Sequence, residues 1–172
     1  MRRSFLSIWF ALTAASVQSA FATPLEIKLE SPAVVVTVPG LEGLDFGPHP
    51  SSATQPSARL FGQGKNGVTV SVLVPTAGSD TPASQCASWL AGNVLSRFAP
   101  SLDSIQIIKA GDNAYVLIFP FAVGGIEQLK AFVLTGSGKG HCVEVHMSRL
   151  GASKPQRDEW LNGFRDIQVQ FK

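Results

Sequence analysis

Between Ile105 and Met147 β-prone runs alternate with glycine turns, and this pattern constrains the fold more than any other feature of the chain. Ile105–Ala110 turns at Gly111-Asp112 into Asn113–Phe121, Gly124-Gly125 leads into Glu127–Leu134, and Gly136–Gly140 leads into His141–Met147. Neighbours joined by turns this short must run antiparallel. The run Tyr115-Val116-Leu117-Ile118-Phe119 is apolar on both faces, so both sides of the resulting sheet need cover.

The flanking segments supply more strands and the cover. Glu26–Glu30 and Val34–Val38 read as short extended pieces, followed by a Gly- and Pro-rich loop from Pro39 and a polar, mobile surface loop at Ser51–Ser57. Arg59–Gln63 and Val68–Val74 flank Asn66-Gly67, a strong hairpin signal because a type I′ turn needs positive φ at both central positions. After the breaker Gly78-Ser79-Asp80, Thr81 caps a helix with Pro82 at its first position. Its stripe of Cys86, Trp89, Leu90, Val94 and Phe98 should lie on the sheet, and Pro100 ends it. A second helix is expected from the capping-box pair Ser153 and Gln156, with Pro155 in the first turn and Trp160, Leu161 and Phe164 as its apolar stripe. Ile167, Val169 and Phe171 alternate with Gln168 and Gln170 as a final strand closing the sheet. The fold class expected is α+β, an antiparallel sheet with helices packed on its faces.

The N-terminus sets the compartment. Arg2-Arg3, the apolar run Phe5–Ala15 and the small-residue site Ala20-Phe21-Ala22 make residues 1–22 a secretory signal peptide, too short in its apolar part to span a bilayer. Arg2-Arg3-Ser4-Phe5-Leu6 resembles the core of a twin-arginine signal, but an n-region this short also fits an ordinary Sec leader. Cleavage after Ala22 removes 22 of the 172 residues and leaves 150, a single α+β domain over residues 23–172 in the periplasm or outside the cell. The leader holds two of the 14 basic residues and none of the 12 acidic ones, leaving 12 against 12. A formal net charge of zero removes the electrostatic drive toward nucleic acid. No later apolar run reaches the length of a membrane span, and no motif calls for a cofactor. The absence of an Asn-x-Ser/Thr site favours a bacterial source.

Cys86 and Cys142 are the only cysteines, and in an oxidising compartment they are expected to form a disulfide. Buried thiols or one reactive cysteine beside His141 or His146 are the alternatives. Strand parity in His141-Cys142-Val143-Glu144-Val145-His146-Met147 sends Val143, Val145 and Met147 one way and Cys142, Glu144 and His146 the other. As a metal site the latter trio runs short once a disulfide consumes Cys142. Glu144 and His146 therefore read as a solvated rim, or as the wall of a binding groove beside the first helix. His49, between Pro48 and Pro50, reads as a loop residue. No serine lies in a Gly-x-Ser-x-Gly elbow, Gly62–Lys65 and Gly136–Gly140 read as hairpin turns rather than phosphate loops, and Asp158-Glu159 suits a helix N-terminus. Trp89 and Trp160 read as core residues. No catalytic residue is assigned.

The order of two short strands, a hairpin, a helix, a meander, a second helix and a terminal strand resembles the PsbP-like superfamily. That group includes extrinsic proteins of photosystem II, the Ran-binding protein Mog and DcrB-like bacterial envelope proteins. The segment Trp160-Leu161-Asn162-Gly163-Phe164-Arg165-Asp166-Ile167-Gln168-Val169-Gln170-Phe171 looks like its closing helix and strand. The resemblance implies a PsbP-like α/β sandwich and a non-enzymatic accessory module that binds another envelope or secreted protein. A periplasmic immunity or inhibitor protein against a secreted toxin fits the same features. A small metal-binding protein or enzyme centred on His141, Glu144 and His146 is the third possibility.

Overall fold

A computed structural model describes residues 24–38, 43–64, 67–78, 81–110, 113–137, 139–151 and 154–172. The expected leader, Asn66 of the first hairpin turn, the Gly111-Asp112 turn and Ser153 lie outside the described residues. The elements are β1 (Leu25–Glu30), β2 (Ala33–Val38), β3 (Leu44–Pro48), β4 (Ala58–Gly64), β5 (Val68–Leu73), α1 (Ala83–Phe98), β6 (Gln106–Ala110), β7 (Ala114–Val123), β8 (Ile126–Gly136), β9 (Cys142–Leu150), α2 (Lys154–Arg165) and β10 (Gln168–Phe171).

The meander forms as its turns require. β6, β7, β8 and β9 are successive antiparallel neighbours, and β5 adds to β9, giving a seven-stranded sheet in the order β3-β4-β5-β9-β8-β7-β6. Val123 pairs with Ile126 across Gly124 and Gly125, both at positive φ (56° and 81°), the conformation that a two-residue type I′ hairpin demands. Alternation along β5 buries Val68, Val70 and Val72, and alternation along β9 buries Val143, Val145 and Met147 on the same side.

The final strand closes a different sheet from the one expected. β10 pairs antiparallel with β2, from Gln168↔Thr37 to Phe171↔Val34, and β1 pairs with the other edge of β2. Alternating apolar residues specify a half-buried strand but not its neighbour, and β2 supplies an edge whose own valines already face the core. Val34, Val36 and Val38 of this small sheet and Trp160 and Phe164 of α2 join Val70, Val72, Val116, Val133 and Val145 of the large sheet in one apolar cluster.

Several local expectations are also corrected. Within the Gly- and Pro-rich stretch, Leu44–Pro48 forms the edge strand β3, a position where a missing proline N–H costs nothing. Gly62 and Gly64 belong to β4 rather than to a turn, and Gly136 is the last residue of β8. The polar loop after β3 is tied by its own backbone, the amides of Ser52 and Gln55 donating to His49 O (2.9 Å) and Ser51 O (2.7 Å). At the start of α1, Pro82 occupies the N-cap and among the described residues no side chain caps it, so Thr81 does not play that part. The helix ends at Ala99 in the left-handed region (φ 42°), immediately before Pro100.

Candidate functional site

Helix α1 packs on β7, β8 and β9, on the face of the large sheet opposite the small one. Its buried residues are Cys86, Ala87, Leu90 and Val94. Trp89, expected in the core, is 47% exposed, because at 3.6 residues per turn it falls on the flank of that stripe. Trp160 is buried as expected.

At the N-terminal end of α1 the helix is tied to the sheet covalently. Cys86 and Cys142 form a disulfide with Cα atoms 5.3 Å apart. Gly136 lies opposite Cys142 in the β8–β9 ladder, and a glycine is what this spot admits: an added Cβ would stand 2.6 Å from the Cβ of Cys86.

At the C-terminal end the tie is electrostatic and aromatic. Arg97 donates from its Nη2 to Glu144 Oε1 at 2.7 Å, with the Glu144 side chain only 5% exposed and Arg97 45% exposed. Removing Arg97 would strand a buried carboxylate, which is costlier than the pair itself is worth. The guanidinium also lies over the rings of Phe98 (4.9 Å) and Phe132 (5.8 Å). His146 stacks on Phe132, with centroids 4.4 Å apart and planes 8° from parallel, and Phe98 leans over both rings. Glu144 and His146 are therefore not the solvated rim expected of them. They belong to the contact that seats α1.

Burial, reinforced by the positive charges of Lys130 and Arg97, pulls the His146 pKa down to about 3, so the ring is neutral at physiological pH. Among the described residues its buried Nε2 has no hydrogen-bond partner. Lys130, beside it on β8, is itself buried, and desolvation lowers its pKa; its Nζ lies 5.8 Å from the Phe98 ring centroid. The signal for Arg97 and Lys130 was weak in the sequence, since each reads as an ordinary solvated cation until α1 is placed on β8 and β9.

His141 does not join Glu144 and His146. It forms an isolated bridge with Thr76 ahead of β9, and among the described residues no three His, Cys, Asp or Glu side chains are gathered for a metal ion. His49 stands just beyond β3, its Nδ1 accepting the Ser51 amide (3.1 Å) and its ring edge-on to Phe61.

Beyond α1 the same face continues over β5 and β4. Thr69, Ser71 and Leu73 point there, opposite Ser148, His146 and Glu144 in the ladder, and Phe61 lies opposite Ser71. All four are half-buried, and Thr69 and Ser148 share a 2.7 Å hydroxyl hydrogen bond. They make a mixed polar and apolar shelf whose wall is the end of α1 with Arg97.

The solved structures contain a protein built on the same plan. The solution structure of cyanobacterial PsbP (CyanoP) from Synechocystis sp. PCC 6803 superposes with a TM-score of 0.52 over 89% of this chain and 96% of that one, at 12% identity. The fold is PsbP-like. At that identity the likeness shows the PsbP-like fold alone, and it carries no residue from one protein to the other. No family model matches the sequence, and no curated protein matches it. Among the described residues no helix is long and apolar enough to cross a membrane.

Proposed function

We propose that this chain is an exported, non-enzymatic accessory protein of the bacterial cell envelope that binds another envelope or secreted protein. It is cut after Ala22 and works in the periplasm or outside the cell as a single α+β domain over residues 23–172. The PsbP-like fold and the disulfide support the export and the accessory role.

The observation that carries the binding role is how the reactive side chains of the helix-covered face are spent. Cys142 is bonded to Cys86, Glu144 is held by Arg97, and His146 is stacked on Phe132. These groups fix α1 on the sheet, and the shelf of Phe61, Thr69, Ser71 and Leu73 beside it stays half-exposed. A rigid wall next to a mixed, half-open sheet surface suits docking of a protein.

The test is capture from an envelope extract with the full-length mature protein, beside a Ser71→Arg variant that places a long cation on the shelf. One envelope protein, retained by the wild type and lost by the variant, is the expected result. Equal retention by both would remove the shelf from the interface, and retention of nothing would count against the binding role. Recovery of a secreted toxin would instead favour the immunity or inhibitor reading.

A further inference from the structure

We infer that the free edge of β10 accepts one extended peptide segment of a partner protein as a fourth strand of the small sheet. This deepens the protein-binding role proposed above and rests on it.

In the small sheet, among the described residues, β10 pairs only with β2. The Lys172 amide donates to Ala33 O at 2.9 Å, which fixes the phase of the ladder. Main-chain groups alternate sides along a strand, so Gln168 and Gln170 also turn theirs toward β2. Val169 and Phe171 consequently each present an N–H and a C=O to the opposite side. That side is a groove of about 620 Å³, lined by Gln168, Val169, Gln170 and Phe171 together with Ala114 and Asn113 of the large-sheet end. Side chains of consecutive strand residues point to opposite faces, so a groove touching all four runs along the edge and not over one face.

Though only four residues long, the edge carries none of the charges or prolines that keep the other strand edges from pairing. β1 carries Glu26, Lys28 and Glu30, β3 carries Asp45 and Pro48, and β6 carries Lys109. β10 reads Gln-Val-Gln-Phe, with no charge and no proline. The occupant follows from complementarity of partial charges: donors and acceptors alternating at strand spacing are matched by another strand's backbone. A second folded copy fits poorly, since each β10 edge lies within its own groove.

The test uses the full mature protein and a defined probe, a peptide of residues 33–38 with two lysines added at each end. Amide exchange followed by NMR should slow about tenfold or more at Val169 and Phe171 on peptide addition. Val169→Pro, which deletes an N–H that β2 does not use, should weaken binding about tenfold or more, the size of one lost main-chain hydrogen bond left unmatched. Asn113→Trp, an exposed wall residue that narrows the groove, should weaken it too, and does so without touching the ladder. Unchanged exchange at Val169 and Phe171, or equal binding by Asn113→Trp, would overturn the inference. So would a dimer in sedimentation with both amides already protected, because a second copy would then own the edge. Partner capture through the Ser71 shelf is a separate measurement, so the edge can fail while the binding role stands.

Discussion

Gly136 is the seat of the disulfide: a Cβ placed on it would lie 2.6 Å from the Cβ of Cys86 and 2.8 Å from its Sγ. The backbone of Ala83 is only 3.1 Å away, so neither the bridge nor the first turn of α1 has room to give. Gly136→Ala is therefore expected to lift the N-terminal end of α1 and cost about 3 kcal/mol, at the upper end for overpacking. Chemical denaturation should show a lower midpoint with an unchanged slope. A midpoint equal to the wild type would mean that the helix moves freely over this strand.

The bridge itself closes a loop with a sequence separation of 56. Loop-closure entropy for that span is worth about 4 kcal/mol on the chain-entropy estimate, so replacing both Cys86 and Cys142 by alanine should destabilise the fold by an amount of that order. Thiol titration of the unfolded, unreduced protein should find no free thiol. Two reactive thiols would show that the pair is not joined in the exported protein.

His146 should make stability depend on pH in a definite direction. Its ordinary pKa of 6.5 applies to the unfolded chain, whereas in the native state burial first, and the charges of Lys130 and Arg97 next, bring it to about 3. Below pH 6.5 the unfolded chain binds a proton that the native ring refuses. Its share of stability is thus complete above 6.5, falls by up to about 1.4 kcal/mol per pH unit as the pH drops toward 3, and levels off below that. His146→Phe keeps a ring on Phe132 and deletes the unpartnered Nε2, so it should flatten the denaturation midpoint between pH 6 and pH 4, a window inside those two pKa values. A wild-type midpoint as flat as that of the variant would rule out the buried neutral ring.

Much of the fold was legible because its signals are local. Gly124-Gly125 dictates its hairpin, the β9 alternation buries Val143, Val145 and Met147, and the two cysteines meet. What escaped depends on elements distant in sequence. The alternation of Val169 and Phe171 cannot say which strand they pair with, and β2 lies more than a hundred residues earlier. β3 hid because Gly47 and Pro48 are turn formers unless a strand sits at an edge. Strand parity puts Cys142, Glu144 and His146 on one face but says nothing of that face's exposure. Only the placement of Arg97 and Phe98 over β9 converts a solvated rim into a half-buried ion pair, with its carboxylate end buried, and a ring stack.

The closing strand should be integral to the fold although it ends the chain. Ile167 is 4% exposed, and Val169 and Phe171 pack half-buried against the same cluster as Val34 and Val36. Deleting residues 166–172 would uncover that apolar surface and leave β2 with an open edge toward solvent. At about 25 cal/mol per Å² of apolar area, three side chains of this size are worth several kcal/mol, even with two of them half-buried. Truncated protein should unfold at a lower denaturant concentration than the full chain and aggregate more readily, with β2 exposed. Coincident midpoints would instead mark β10 as a frayed tail, and would also leave the groove beside it without the strand that a peptide is expected to join.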